Sequence, residues 1–212
     1  MGSENSGWSL ILAMVISHKQ IRAMYNDTTI RVYQAYGDAI ADAALENGTF
    51  VAPSFQFARM TWIKPSFLWM MYRSGWGMKE SGQSRILAID ISREGFNWAL
   101  EHSFLSHQSR KFVNREEWLK NKNKTPVRIQ WDPERNLNLQ PLEYRSIQIG
   151  LSKLAVDLYV NEWIQSITEI TMLARQIYCL IENSKIKEAE KLLPKEEEYP
   201  LSQSLKEKIE AD

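Results

Sequence analysis

The sequence predicts an α+β fold in a single domain, with a mixed or split β-sheet and packed helices, and three observations lead there. Strand patterns recur over residues 28–36, 85–91, 127–132 and 144–152, with helical patterns between and after them. The chain of 212 residues is 44% apolar and 25% charged, ordinary values for a globular domain that buries its core without a disulfide or metal. No stretch in the body is biased enough in composition to argue for disorder. By the same reasoning residues 1–19 read as an N-terminal leader, 20–183 as the α+β domain and 184–212 as a charged C-terminal tail.

The first unit is the strand TTIRVYQAY, in which Ile30, Val32 and Gln34 share one face and Arg31, Tyr33 and Ala35 the other. It is followed by AIADAALENG, a short helix closed by Gly48. Next, Pro65 opens a helix through FLWMMYR that ends at Ser74-Gly75; being apolar nearly all round, it should be buried, and Met60, Met70 and Met71 are expected in the core. RILAIDI is a second strong strand and REGFNWALEHS a helix after it. Residues 106–125 are polar and read as a loop with a helical turn near 116–120. VRIQWD and YRSIQIGLS are strands joined by a turn-rich stretch and expected to pair. From 153 to 183 the spacing of Leu154, Leu158, Ile164, Ile167 and Ile170 predicts one or two packed helices.

Composition excludes several function classes. Lys plus Arg and Asp plus Glu both number 26, so the net charge is zero and an anionic partner must be met by a local patch rather than by bulk attraction. One cysteine, Cys179, and three histidines form no zinc spacing, so no metal is expected, and a reducing intracellular compartment fits: cytoplasmic, or nuclear in a eukaryote. The apolar run Trp8–Ile16 is far short of the roughly 20 residues that span a bilayer, so no membrane is expected as a partner. Neither a Walker loop nor a GxGxxG follows any strand, which removes P-loop and Rossmann chemistry.

What stands out is the aromatic content, 11% with eight Trp, and its company. Between residues 57 and 77, Arg59, Lys64 and Arg73 flank Trp62, Trp69 and Tyr72. Cations beside an indole either stabilise by cation–π contact or make a stacking platform with phosphate grips, and their density here favours the platform. Ser66 caps the helix or, with the free N–H groups there and Lys64, holds a phosphate. Arg31 on its strand is either ion-paired or a bidentate diphosphate ligand. On the late strand Arg145 and Ile147 point one way, Ser146 and Gln148 the other.

The strings IRVYQAY, RMTWIKPSFLWMMYRSGW, AIDISREGF and VRIQWDPERNLNLQPLEYRSIQIGLS resemble a widespread microbial family described as a domain of unknown function, over about residues 20–180. In arrangement the chain is also similar to the small ADP-ribosyltransferase fold. That resemblance implies NAD as cofactor, with Arg31 on the diphosphate, Tyr33, Tyr36 and Tyr72 near the nicotinamide, and Lys64 and Ser66 completing the cofactor site. It puts Gln148 on the ribose, where the fold carries a Glu, and with Arg59 it forms the catalytic pair. A Gln positions a ribose hydroxyl but accepts no proton as a base. The expected activity is ADP-ribosyl transfer from NAD to a nucleic acid base or end, with Trp62, Trp69, Arg73 and Arg145 on DNA or RNA. The alternatives are a non-catalytic module binding single-stranded nucleic acid or a nucleotide, and an interaction protein whose aromatic residues are only core.

Overall fold

The computed structural model describes residues 18–79, 81–107 and 114–212, so the leader expected over residues 1–19 lies outside the described residues except for His18 and Lys19. The centre is a three-stranded antiparallel sheet in which β4 (Arg85–Ser92) lies between β2 (Thr29–Tyr36) and β8 (Ile164–Glu169). Its alternation divides the interior. Ile30, Val32, Leu87, Ile89 and Ile91 enter one apolar cluster, while Tyr33, Ile86 and Ala88 enter a second on the opposite face. A sheet buried on both faces is why RILAIDI reads as a nearly continuous apolar run.

A second sheet, mixed in direction, has the order β3 (Thr61–Ile63), β7 (Pro141–Leu151), β6 (Val127–Arg135), β5 (Ser103–Leu105), with β5 parallel to β6 and the other pairs antiparallel. One face, with Ile63, Ile129, Trp131, Ile147 and Ile149, joins the first cluster. The two sheets are stitched where the Tyr33 N–H donates to the Lys64 carbonyl at 2.8 Å. The molecule is thus the α+β domain with a split, mixed sheet that the sequence predicts.

The short helix α1 (Asp38–Asn47) ends on Gly48 at φ 67°, and α2 (Phe67–Ser74) ends on Gly75 at φ 57°, both left-handed stops that glycine adopts without strain. Ser66 caps α2 by accepting the Trp69 N–H at 3.1 Å. Phe67, Met70, Met71 and Trp76 pack under α6 (Thr171–Glu182) in the second cluster. α3 (Arg93–Glu101) adds Phe96 and Leu100 to the first.

Three elements differ from the sequence expectation. β3 and β5 are three-residue strands with too few residues for a period to show. The polar stretch read as a loop with one turn carries a full helix, α4 (Arg115–Lys124). The helix expected across 153–183 is interrupted. After α5 (Leu154–Leu158) and a π-helical turn (Tyr159–Trp163), residues 164–169 leave the helix and become strand β8. The three-residue spacing of Ile164, Ile167 and Ile170 suits a helix, but pairing Ile167 with Ile89 satisfies the free edge of β4, and tertiary pairing overrides the local pattern.

The segment expected as a charged tail is docked. α7 (Ile186–Leu192) packs on α6, β9 (Glu197–Glu198) pairs with β1 (Arg22–Ala23), and α8 (Gln203–Ile209) lies against α3 and β5. Ala189, Tyr199, Leu205 and Ile209 are buried, and the Trp131 indole N–H donates to the Ile209 carbonyl at 2.8 Å. The few apolar residues of this stretch are its anchors, which a count of its charges conceals.

Candidate functional site

Where the two sheets meet, their strands open around a cleft of about 570 Å³, within the ordinary range of small-molecule sites. β2 contributes Gln34 and Tyr36, the loop before β3 contributes Arg59, and β3 contributes Thr61 and Trp62. Lys64 follows β3; Met70 and Arg73 come from α2, and Gln130 and Gln148 from the β6–β7 pair. Gly150, opposite Trp62 in the sheet, makes room for the indole: a Cβ there would come within 2.7 Å of Met60 Sδ and 3.0 Å of the Trp62 ring. The ring therefore lies against bare backbone, placed by a residue that could carry no side chain.

The polar groups are held from behind. Gln130 and Gln148 are cross-strand partners, and their Nε2 groups donate to the two oxygens of Asp132 at 2.9 and 2.6 Å. With both amide groups turned to Asp132, both Oε1 atoms remain acceptors without a protein donor among the described residues. Gln34 is buried and accepts the Tyr159 hydroxyl at 2.8 Å. Its Nε2 donates to Tyr36 Oη at 2.9 Å and to Thr61 Oγ1 at 3.0 Å. Burial pushes the Tyr36 phenol up to about 12, so it stays a neutral hydroxyl.

The cations are less balanced. Among the described residues Arg59, Lys64 and Arg73 take part in no ion pair, although Arg73 donates to Gln83 at 3.3 Å. Lys64 is 6% exposed. Its Nζ donates to the Trp62 carbonyl at 3.2 Å and lies 5.4 Å from the centre of the Trp69 ring. Loss of hydration, and then repulsion from Arg73, bring its pKa down to about 7, partly opposed by Asp132. A buried amine without a carboxylate partner is costly to charge, so an anion entering the cleft gains its cations nearly uncompensated.

Six of the twelve residues singled out from the sequence line this cleft: Tyr36, Arg59, Trp62, Lys64, Arg73 and Gln148. The other six go elsewhere. Arg31 forms a two-point pair with Asp90, Nε to Oδ1 at 2.8 Å and Nη2 to Oδ2 at 2.7 Å, because the β2–β4 register sets them opposite one another. Tyr33 is buried in the second cluster beside Phe67, and burial raises its phenol further out of reach of ionisation. Ser66 caps α2 and donates to the buried Glu134 at 2.9 Å. Tyr72 lies under the Arg135 guanidinium, 3.5 Å from its carbon to the ring centre. Trp69 is 6% exposed and cannot stack on a base. Arg145 donates to the Trp131 carbonyl at 3.0 Å and leaves Gln148 alone on the cleft side, as the strand alternation predicts.

Sequence reasoning misses Gln34, Thr61, Gln130 and Asp132 as site residues. The paired strings RIQW and SIQI do carry the signal for one of them: once the two strands are set antiparallel, the glutamines at 130 and 148 fall opposite each other.

Among the described residues no group of three or more His, Cys, Asp or Glu could hold a metal, and no helix is long and apolar enough to cross a membrane. A family described as a domain of unknown function, DUF4291, matches residues 20–199, a span that includes every residue of the cleft. The chain belongs to the DUF4291 family. The match agrees with the resemblance carried by IRVYQAY and RMTWIKPSFLWMMYRSGW, and it extends beyond it through β9 and Tyr199. The DUF4291 domain therefore includes much of the docked C-terminal segment. No curated protein matches the chain.

Proposed function

We propose that the chain binds a phosphate-bearing nucleotide in the cleft, NAD foremost, and uses it for ADP-ribosyl-type transfer. The observation that carries the reading is the convergence of Arg59, Lys64 and Arg73, without ion pairs among the described residues, on a cavity that also presents Trp62 and two carboxamide oxygens. Guanidinium groups match phosphate oxygens in two-point contacts, an indole face accepts a base or nicotinamide ring, and carboxamide oxygens accept ribose hydroxyls. In this arrangement Arg59 and Arg73 take over the diphosphate contacts that the fold resemblance assigns to Arg31. Gln148 keeps its place on the ribose. The acceptor, a nucleic acid base or end, rests on the resemblance alone.

A second reading, a module that binds single-stranded nucleic acid or a nucleotide without catalysis, is favoured by one feature: no carboxylate lines the cleft among the described residues. Calorimetric titration with NAD, followed by an assay for nicotinamide release with DNA and RNA oligonucleotides present, separates the two. The transferase reading expects micromolar-range binding and nicotinamide release. Replacing Arg73 or Arg59 by Ala should weaken NAD roughly ten- to hundredfold, because each charge-assisted hydrogen bond to a phosphate contributes about 1.5–3 kcal/mol. A gel shift of the oligonucleotide with NAD left intact would support the binding module instead.

A further inference from the structure

We propose that Lys64 is the nucleophile of this cleft and attacks C1′ of the ribose in a nucleotide whose base is a pyridinium. The inference rests on the nucleotide reading above and deepens it by assigning the reacting group and the class of glycosidic bond. Its basis is geometric. Lys64 lines the cavity, and its Nζ is held from one side by the carbonyl of Trp62, another lining residue, at 3.2 Å. A neutral amine donates to such a carbonyl and keeps its lone pair free, whereas an ammonium buried here would lack a carboxylate partner among the described residues. The Trp69 face favours a cation. Dehydration and the nearby Arg73 outweigh the pull of Asp132 and hold the group down to about 7, which leaves a large share of it unprotonated at neutral pH. Desolvation and a neighbouring cation are the two devices that turn a lysine into a nucleophile.

The chemistry balances without any further reagent. The amine lone pair forms the bond to C1′ as the bond from C1′ to the pyridinium nitrogen breaks. The electron pair of that bond neutralises the ring, which leaves as an uncharged base. One Nζ proton passes to solvent at the mouth of the cleft, and opening of the ribose ring converts the glycosylamine into an imine. A pyridinium is the leaving group that fits because it needs no proton, and the described lining offers no carboxylic acid to supply one. The Oε1 atoms of Gln130 and Gln148 are placed to accept ribose hydroxyls and hold C1′ toward the amine. A covalent lysine would supply the nucleophilic step for which a Gln in place of a Glu provides no base.

The test is reductive trapping. The full chain is incubated with NAD and cyanoborohydride, digested and mapped by mass spectrometry, and NAD binding is measured in parallel by calorimetry. The expected result is one ADP-ribosyl adduct on Lys64, formed with a half-maximal rate near pH 7 and at least tenfold faster than on exposed lysines such as Lys153. Lys64→Arg, whose guanidinium is permanently charged and no nucleophile at neutral pH, should lose the adduct. Mapping on the unmodified chain decides the question even if the variant does not fold. An adduct spread over surface lysines, or one persisting undiminished in Lys64→Arg, overturns the proposal. Binding of NAD with neither adduct nor nicotinamide release overturns it while leaving the nucleotide reading in place. No binding of NAD removes both.

Discussion

At the residue scale the decisive comparison is between two cations that look alike in the sequence. Arg31 lies in a strand of apolar neighbours and Lys64 beside a tryptophan, and either could grip a phosphate. The register of β2 against β4 sets Arg31 opposite Asp90, which satisfies it, whereas Lys64 meets only a backbone carbonyl and an indole face. Arg31→Ala should therefore lower stability by about 1–3 kcal/mol, since it leaves Asp90 half-buried with Ser166 as its one remaining side-chain partner among the described residues. The melting temperature should fall by several degrees, about 2–4 °C per kcal/mol for a chain of this size, while NAD affinity stays unchanged in a calorimetric titration. A weaker affinity at an unchanged melting temperature would return Arg31 to the ligand site. The nature of each residue was legible in the sequence, but its partner was not, because register between strands 59 positions apart is a tertiary property.

At the element scale, α2 is held at its start by two acids, Glu134 buried and Glu196 partly buried. The Phe67 N–H donates to Glu196 at 2.7 Å and the Ser66 hydroxyl to Glu134 at 2.9 Å. Burial, then the neighbouring Glu134, raise the Glu196 carboxyl to about 8 against the pull of the Phe67 N–H and Arg22, and burial raises Glu134 in the same direction. Because the folded chain then keeps a proton that the unfolded chain has lost, stability is greatest below the unfolded carboxyl value and declines as the pH rises toward 8. Lys64 acts in the opposite sense over a higher window: the folded chain binds fewer protons between about 7 and the unfolded lysine value, so stability recovers there. Glu196→Gln retains an acceptor for Phe67 but cannot ionise. Its denaturant midpoint should change much less than the wild-type midpoint between pH 5 and pH 8 and should exceed it at pH 8. Parallel curves for the two proteins would show that Glu196 is ionised in the fold. The sequence showed α2 from Ser66 to Gly75 through its cap, its apolar face and its glycine stop, all of them local signals. It concealed β8 and the partners at the start of α2, which depend on segments more than 60 residues away.

At the scale of the whole molecule, the charged C-terminal stretch closes the domain. Tyr199, Leu205 and Ile209 fill the first apolar cluster, Ala189 the second, and Glu196 and Ile209 tie the stretch to α2 and β6. A buried aromatic alone contributes about 3–5 kcal/mol, and a domain holds only about 5–15 in total. Truncation after Asn183 should therefore abolish cooperative thermal unfolding, and an unchanged transition would show the stretch to be dispensable. With that segment in place the two sheets meet at Tyr33 and Lys64, and the cleft opens beside the seam. Every functional assignment made for this chain depends on a nucleotide occupying that cleft. Hydrogen-exchange mass spectrometry on the full chain, with and without saturating NAD, reads this occupancy segment by segment. Slowed exchange is expected to be confined to the cleft segments, residues 34–36 and 54–64, the end of α2 at Arg73 and the strand positions around Gln130 and Gln148, with the β2 positions around Arg31 unaffected. Protection centred on Arg31 and Asp90, or no change anywhere on the chain, would overturn the nucleotide site.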